Sequence, residues 1–538
     1  MSVRCSRSVG GVFRLDPCDR SGGMMLGTAD PQGSLLGVDS LLARLFAGDE
    51  HSFYARLARH GDDLIRDEDF AACYSAGRGR PSIPPSLLMK VVLLQMRDDV
   101  SDREAARRAA KDLDWKRALG LEPEDIPFHH TTLSVFRSRL LLNDADETVL
   151  KTTIARAVER GLFAKKVLAI ADSTGVMGAA AVADTYELIR QAVAKLVEAA
   201  GGPKMLHSRL RRGARAAVRG KAPIDWADAS ARRQELGRLV ALARDLLAVT
   251  AGLEDAAEAR DLLGRILDQD VEDTDDGPAL RHGVAPDRVV SVVDPEMRHG
   301  RKTASRRIDG YKAHVVTDHD TELVIGVSAT PANVPDGPEL APLITAAKEA
   351  GVPVAEVLGD TAYGDGDTRA AVETAGAKVT AKTQPPSTTG KFLKTDFVID
   401  PAIPSATCPA GHTTTHLGWS TDHQHRRVPV LKFGQLCLAC PLRSRCTTDV
   451  DGRSLTLNFH EARLQAARAE QSRPATRRKL RRRSLVERKL AELKMHGIGK
   501  ARYRSARKVL LQVRLTAALV NTKRLFTLEE PHGALATA

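Results

Sequence analysis

The chain has 538 residues, of which 43% are hydrophobic and 4% aromatic, a composition typical of water-soluble globular domains. At roughly 150 residues per domain, this length predicts two to four folded units. Lysine and arginine outnumber acidic residues by 80 to 68, which gives a net charge of +12 and a pI near 9.4. Such an excess, where it is clustered, favours a polyanionic partner. A membrane-spanning protein is excluded because no apolar run approaches ~18 residues.

The N-terminal region predicts a tail followed by a small helical domain. Residues 1–34 lack the apolar segment of a secretory signal and are expected to be disordered, so we expect a cytoplasmic protein. Short helices are predicted over 35–145. The clearest begins at Pro84-Pro85, and Ser101 with Glu104 forms a capping-box pattern that opens a helix through Leu113.

A further helix from His129 to Leu140 ends in basic residues and completes a helix-turn-helix-like order. Any small helical domain shows the same order. DNA binding and plain helical packing therefore both remain open for this region.

The middle of the chain alternates strands and helices. A buried strand is predicted from Lys166 to Asp172, a helical insertion over 184–289, and a hairpin from Tyr311 to Ser328. A helix (336–350), a strand (352–360), a helix (367–375) and a strand (377–381) follow. Residues 384–460 show no sustained period, and basic helices are predicted over 472–526, the first from Arg477 to Lys494.

Two aspartates, Asp172 and Asp360, each end a predicted buried strand, where side chains of adjacent strands can converge. Hard divalent cations prefer oxygen ligands, and two such ions can activate a nucleophile and stabilise the leaving oxygen of a phosphodiester. A single aspartate at a strand end is also typical of a residue that caps the next helix. Asp365 and Asp367 are rivals for Asp360, although they lie beyond the strand.

The chain resembles bacterial insertion-sequence transposases of the DDE type. The resemblance covers most of the chain, and the matching segments are Asp172-Ser-Thr, Asp294-Pro-Glu-Met-Arg, Gly310-Tyr-Lys-Ala-His, Ala332-Asn-Val-Pro-Asp336, Gly359-Asp360-Thr-Ala-Tyr363-Gly and the basic helix around Glu487. It implies an α/β, RNase H-like mixed sheet flanked by helices, formed by 160–183 and 290–383 and completed by the C-terminal helices. It also implies that Asp172, Asp360 and Glu487 hold Mg²⁺ or Mn²⁺.

Related transposases carry a Tyr, Arg, Glu, Lys signature on the third catalytic element. Arg483, Glu487 and Lys494 stand at its spacing, whereas Leu480 occupies the tyrosine position. Offsets of four and seven place the three matching residues on one helical face. That face is expected to meet DNA, with phosphate contacts from Arg477, Arg478, Lys479, Arg481, Arg482, Arg483 and Lys494. A solvated basic helix is the alternative, and Glu492 is the rival ligand.

The resemblance further implies cleavage at the ends of an element and attack of the freed 3′ hydroxyl on target DNA. The expected partners are double-stranded DNA, as terminal inverted repeats and target, and a second copy of the chain on paired ends. The expected location is the nucleoid. Two other functions remain open: a DNA-binding regulator without catalysis, and a nuclease of the same fold without strand transfer.

Four cysteines fall within the irregular segment 384–460. Cys408, Cys437, Cys440 and Cys446 together offer four thiolates, with His412 as a substitute. Tetrahedral zinc takes such ligand sets, so we predict a structural Zn²⁺. Buried reduced thiols are the alternative.

Overall fold

The computed structural model describes residues 25–27, 46–75, 80–301, 307–385 and 391–529. The chain divides into two compact units, Met1–Thr152 and Thr153–Ala538. The tail predicted over 1–34 lies outside the described residues except at 25–27, where Met25 pairs with Ser75 and Pro81. None of the described helices has the length and apolar character needed to cross a membrane.

The first unit is built from helices. They are α1 (Phe53–Leu64), α2 (Pro85–Asp98), α3 (Asp102–Lys111), α4 (Leu113–Leu119) and α5 (Thr131–Leu142). The predicted start at Pro84-Pro85 is confirmed, and the Ser101 side chain accepts from the Glu104 amide at 3.3 Å. The prediction that this helix runs through Leu113 is wrong, because Asp112 accepts from the amides of Asp114 and Trp115 and begins a new helix.

One buried carboxylate organises this helical unit. Asp98, whose side chain is 8% exposed, accepts hydrogen bonds from Tyr54 Oη at 3.0 Å, Arg108 Nη1 at 2.9 Å and Trp115 Nε1 at 2.9 Å. Burial and the Asp98 charge raise the pKa of Tyr54 to about 12. Asp98 therefore joins side chains from four helices, which explains why this short unit can hold a fixed arrangement.

The second unit contains the remaining elements. Its helices are α6 (Thr148–Glu159, which begins in the first unit), α7 (Thr185–Ala199), α8 (Ser208–Val218), α9 (Ala229–Val249), α10 (Ala257–Asp270), α11 (Gly337–Glu349), α12 (Gly366–Thr374), α13 (Arg443–Cys446), α14 (Glu461–Gln471), α15 (Pro474–Arg481), α16 (Ser484–Leu493) and α17 (Ala506–Glu529). Its strands are β1 (Val167–Met177), β2 (Val271–Thr274), β3 (Gly277–Leu280), β4 (Arg298–Arg301), β5 (Arg307–Asp318), β6 (Val324–Pro331), β7 (Val354–Leu358), β8 (Lys378–Thr380), β9 (Val398–Asp400), β10 (Ser405–Thr407), β11 (Thr413–Thr414), β12 (Leu417–Thr421), β13 (Arg427–Lys432) and β14 (Ser454–Thr456).

Six strands form one mixed sheet in the order β4-β5-β1-β7-β8, with β6 paired to β5. The predicted hairpin is confirmed as the antiparallel pair β5 and β6, and β1 runs parallel to β7. This arrangement, flanked by helices and preceded by an all-helical unit, confirms the α/β RNase H-like class. Helices α11 and α17 both pack against β6.

Strand β1 is longer than the sequence predicts. It continues to Met177 because Ser173–Met177 pair with His314–Gly310 of β5. Its pairing with β7, by contrast, stops at Ile170 and Leu358. The prediction that Asp172 ends its strand is therefore wrong, because β1 continues past it in its pairing with β5. Asp172 instead lies two residues after the last residue of β1 that pairs with β7.

The two predicted insertions differ in secondary structure. Helices α7–α10 are present and share one apolar core, which includes Ile189, Leu239 and Ile266. The segment expected to be irregular instead contains two three-stranded sheets of short strands, β9–β11 and β12–β14. Phe397, Phe433 and Cys437 are part of the small core of this segment.

Candidate active site

Asp172 and Asp360 occupy matching positions on neighbouring parallel strands. The last paired residues are Ile170 of β1 and Leu358 of β7, and each aspartate follows two residues later. Adjacent strands lie about 4.8 Å apart and residues i and i+2 share a face, so both aspartates come to the same edge. Asp360 also caps a 3-10 turn (Thr361–Tyr363) by accepting from the Ala362 amide at 2.8 Å. The capping role and the site role are thus compatible.

The buried phenol of Tyr363 lies among three carboxylates. Its pKa is raised well above the ordinary value, first by burial and then by the charges of Asp336, Asp172 and Asp360, while Arg483 opposes the shift. The side chain is 2% exposed. These residues therefore share one electrostatic environment. In the sequence, Tyr363 and Asp336 fall within the segments that match transposases, but no pattern there indicates a role for either.

Asp336 is the acidic residue that sequence reasoning missed. It precedes α11, accepts from Ser173 Oγ at 2.7 Å, and forms an ion pair with Lys312. Its carboxylate also lies 4.0 Å from His314 Nδ1. Asp336 thus has its charge balanced by Lys312 and is held beside Ser173, the residue that follows Asp172 in β1.

The basic helix predicted from Arg477 to Lys494 is interrupted, and this prediction is wrong. Helix α15 ends at Arg481 and α16 begins at Ser484, with Arg482 and Arg483 in a turn between them. Arg483 Nη2 lies 4.0 Å from Asp172 Oδ2. Arg483 Nε is buried and has no hydrogen-bond partner among the described residues. The guanidinium is consequently aimed into the acidic site.

Glu487 lies in the first turn of α16, one helical turn after Arg483, and its side chain is exposed. Helix α16 packs against β1. Further along, Lys494 lines a cleft together with Thr174 and Gly175 of β1. The helix therefore follows the strand from Asp172 towards Gly175, and Glu487 lies between the two ends of this contact.

The rival acidic residues have other partners. Glu492 is paired with Lys489 at 2.8 Å and Lys523 at 3.0 Å. Asp365 caps α12 by accepting from the Thr368 amide and hydroxyl. Asp367 forms an ion pair with Arg426 at 2.5 Å. Each of the three thus has an evident structural role.

The carboxylates do not form a closed ligand set. Across the described ranges, no group of three or more His, Cys, Asp and Glu side chains lies close enough to hold a metal ion. The donors themselves suit Mg²⁺ or Mn²⁺, because Asp172, Asp360 and Glu487 offer only carboxylate oxygens. Arg483 places a guanidinium nitrogen 4.0 Å from the Asp172 carboxylate in this arrangement.

A basic cleft of about 960 Å³ opens beside Asp360. Leu480, the residue at the signature's tyrosine position, lines it, and so do five cations: Lys382, Arg468, Arg477, Arg481 and Arg483. A second cleft of about 650 Å³ is lined by Thr174, Gly175, Arg307, Asp309, Lys494 and Lys500. Arg483 of one cleft and Lys494 of the other stand on either side of Glu487 in the chain.

The other basic side chains predicted to contact DNA differ in whether they are exposed or already paired with an acidic residue. Arg478 and Arg482 are exposed. Lys479 is instead paired with Glu356 at 2.8 Å, which lowers the pKa of that half-buried carboxyl against the opposing effect of burial. In the first unit, Arg137 is 7% exposed and pairs with Asp102 at 2.5 Å, and Arg139 stacks on Tyr74. These two arginines of α5 stabilise the helical unit.

The four predicted zinc ligands come near one another. Burial raises the pKa of Cys446, and the neighbouring Cys437, Cys408 and Cys440 raise it further. The Arg453 amide donates to Cys437 Sγ at 3.4 Å. The thiols do not, however, reach the separations of a metal site among the described residues. All four are free cysteines.

The second unit is thus an RNase H-like fold with acidic residues at the centre of its sheet and basic clefts beside them. A family model described as a transposase DDE domain matches residues 407–526, and a model described as a transposase domain (DUF772) matches 43–139. The two matches confirm the resemblance to DDE transposases and indicate a transposase, a class of protein that acts on DNA. No curated protein matches the chain. Glu487 lies within the first match, whereas Asp172 and Asp360 lie outside both.

Proposed function

We propose that the protein cuts DNA at the ends of an insertion sequence and joins the freed 3′ ends to target DNA, with Asp172, Asp360 and Glu487 holding two divalent cations. One observation carries this proposal: Asp172 and Asp360 follow the last paired residues of adjacent parallel strands, and Arg483 faces Asp172 at 4.0 Å. The Glu487 helix packs on the same strand.

Bound Mg²⁺ or Mn²⁺ would supply an activated nucleophile and neutralise charge on the scissile phosphate. Arg483 would donate to that phosphate, because its buried Nε has no partner among the described residues and its Nη2 already points into the site. Tyr363 stays protonated at neutral pH, since its pKa is raised, and adds no negative charge beside the aspartates. Asp336 holds Ser173, the neighbour of Asp172, through a 2.7 Å hydrogen bond.

The two clefts supply a path for DNA on both sides of Glu487. Arg477, Arg481 and Arg483 would contact phosphates in the basic cleft, and Lys494 would do so in the second cleft. Arg478 and Arg482 would extend these contacts from the exposed surface, and Lys479 would contribute least because Glu356 already neutralises it.

Cleavage of a duplex that carries the terminal repeat flanking the gene tests the proposal. Wild-type protein in magnesium should nick at the repeat end and then insert that end into a supercoiled plasmid. Asp360→Asn should bind the duplex and leave it uncut. Cleavage by Asp360→Asn at the wild-type rate would refute the site, and cleavage without insertion would identify a nuclease.

For the cysteine segment we propose a structural zinc ion held by Cys408, Cys437, Cys440 and Cys446, with His412 as an alternative ligand. Cys408 packs against the cluster that contains the buried Cys437 and Cys446, and the charges of Cys437, Cys408 and Cys440 raise the pKa of Cys446; both observations support it. Elemental analysis of reduced, unchelated protein should give about one zinc per chain, and Cys440→Ser should lose it. Cys73→Ala, in the helical unit, is the control. Zinc near zero in the wild type would refute this site.

We also propose that two copies of the chain assemble on paired DNA ends and that the helical unit takes part in end binding. The match of that unit to a transposase domain supports its role. The mass measured by light scattering should correspond to two copies of the chain on a paired-end DNA complex, whether the free protein has one copy or two. A single copy bound to two ends would refute the dimer.

A further inference from the structure

The helical insertion carries its charges in two separate blocks. Residues 199–224 contain no acidic side chain and seven cations: Lys204, Arg209, Arg211, Arg212, Arg215, Arg219 and Lys221. Residues 245–276 contain eleven acidic side chains against two cations, Arg260 and Arg265. The positive charge is therefore a local feature of one part of the insertion and not the average of the chain.

Helix α8 turns the basic block outward. Its Leu210, Ala214 and Ala217 are buried in the core of the insertion. Its Arg209, Arg212 and Arg215 are exposed and recur every three residues, which spaces them by about 4.5 Å along the helix axis. We call these three side chains the arginine ridge.

Several contacts fix the position of the ridge. Gly213 allows α8 to lie close to α9, because a Cβ at that position would come within 3.0 Å of Leu242 Cδ1. Arg211 turns back and donates to the carbonyls of Lys204 at 3.0 Å and Leu206 at 2.8 Å, which fastens the loop before the helix. The backbone of the ridge is thus held on a rigid support, so little backbone entropy is lost when it binds a ligand.

The loop after α8 is fastened as well. Lys221 lies over the ring of Trp226 at 4.4 Å, and that ring packs edge-on against Tyr186 of α7 at 5.1 Å. The Trp226 indole donates to the carbonyl of Ala222 at 3.1 Å. Lys221 and the exposed Arg219 are thereby kept next to the ridge.

We infer that the arginine ridge is a further DNA-binding surface, which takes phosphates of duplex DNA. It rests on the proposed function only in that DNA is the partner. Guanidinium groups match phosphate oxygens in pairs, and a row of them without neighbouring carboxylates is typical of backbone contacts. The acidic block would be repelled by the same DNA and so would orient the insertion. None of the residues lining the two clefts belongs to the insertion.

Binding of a labelled random-sequence duplex by the full-length chain, without divalent cations, tests this inference. Arg209→Ala/Arg212→Ala/Arg215→Ala should raise the Kd about tenfold or more and lower the slope of log K against log salt by about 3, one per lost phosphate contact. The corresponding triple lysine variant should keep most of the affinity, because phosphate contacts need the charge.

The control is Lys195→Ala/Arg244→Ala/Arg265→Ala, which removes three cations of the same insertion that are paired with Glu258, Asp273 and Asp287. Its Kd should stay within about twofold of the wild type. A ridge variant that binds with wild-type affinity and slope overturns the inference. A ridge variant whose loss of affinity is no larger than that of the control variant overturns it as well. Wild-type protein that fails to bind any duplex would instead overturn the proposed function.

Discussion

Asp98 and Asp172 are both largely buried aspartates, one in each unit, yet their surroundings differ. Asp98 is 8% exposed and receives hydrogen bonds from a phenol, two guanidinium groups and an indole. Asp172 is 18% exposed, accepts from the Ser173 amide, and lies 4.0 Å from Arg483 Nη2. The first carboxylate has its charge satisfied inside the protein. The second lies in a shared acidic environment beside a basic cleft.

The difference separates a structural carboxylate from a candidate ligand. A carboxylate surrounded by short hydrogen bonds stabilises the fold and is costly to remove. Carboxylates gathered near one another repel, so their arrangement is unfavourable until a cation arrives. We therefore expect substitutions in the two regions to affect different measurements.

The largest effect is expected at the candidate ligands. Asp172→Asn, Asp360→Asn and Glu487→Gln should each lower the cleavage rate about a thousandfold or more, which corresponds to about 4 kcal/mol of transition-state stabilisation. Denaturant unfolding of the same variants should match the wild type. Asp367→Asn, which alters a carboxylate paired with Arg426, should cut within a few-fold of the wild-type rate. A loss of only about tenfold or less in all three ligand variants would remove the distinction between candidate ligands and structural carboxylates.

The next largest effect is expected at Asp98, where a substitution should lower the stability of the fold. Asp98→Ala should lower the free energy of unfolding by about 3 kcal/mol, because four donors (Tyr54, Arg97, Arg108 and Trp115) lose a charged acceptor in a buried position. Chemical denaturation followed by Trp115 fluorescence, with Trp226 and Trp419 replaced by phenylalanine in every variant, measures it. Asp98→Asn, which keeps a carbonyl acceptor, should lose less. Stability equal to that of the wild type in Asp98→Ala would show that the hydrogen bonds around it are not stabilising.

Glu461 is a buried carboxylate of the second unit that, like Asp98, stabilises the fold. Burial works to raise its pKa, but Lys394, at 2.5 Å, and Arg468 lower it below the ordinary 4.5. The ion pair therefore stabilises the fold above pH 4.5, and this contribution is lost as the pH falls through the lowered pKa. Glu461→Gln should cost about 2 kcal/mol at pH 7 and progressively less in acid. An equal cost at pH 7 and pH 3 would contradict the linkage.

The smallest effect should appear within the basic helices. Lys479 is neutralised by Glu356, whereas Arg481 lines the basic cleft. Lys479→Ala should change duplex affinity by less than about 1 kcal/mol and leave the salt slope nearly unchanged, and Arg481→Ala should reduce that slope by about 1. Equal slopes in the two variants would show that the cleft does not hold DNA.

Much of the fold can be predicted from the sequence because its signals are local. Pro85 and the Ser101 cap mark helix starts, and apolar runs mark β1 and β7. The extension of β1 to Met177 could not be predicted, because it depends on pairing with β5, which is more than a hundred residues away. The break at Arg482–Arg483 has no proline or glycine to announce it and follows from the packing of α16 on β1.

The site was predicted in part. The strand positions of Asp172 and Asp360 follow from apolar runs that end in an acidic residue, and the spacing of Arg483, Glu487 and Lys494 singles out Glu487. Asp336 and Tyr363 carry no such signal. Their place near Asp172 results from the hydrogen bond with Ser173 and from burial, which only the folded chain reveals.

The proposed site requires three carboxylates that are distant in sequence to share divalent cations, and iron-directed cleavage of the polypeptide tests this requirement most directly. Fe²⁺ that replaces Mg²⁺ on the DNA-bound protein would, with ascorbate and peroxide, generate radicals that cut the backbone beside its ligands. We predict three cuts, next to Asp172, Asp360 and Glu487, all suppressed by excess Mg²⁺. Cuts near Asp172 and Asp360 with none near Glu487, or cuts that Mg²⁺ does not suppress, would contradict the shared site.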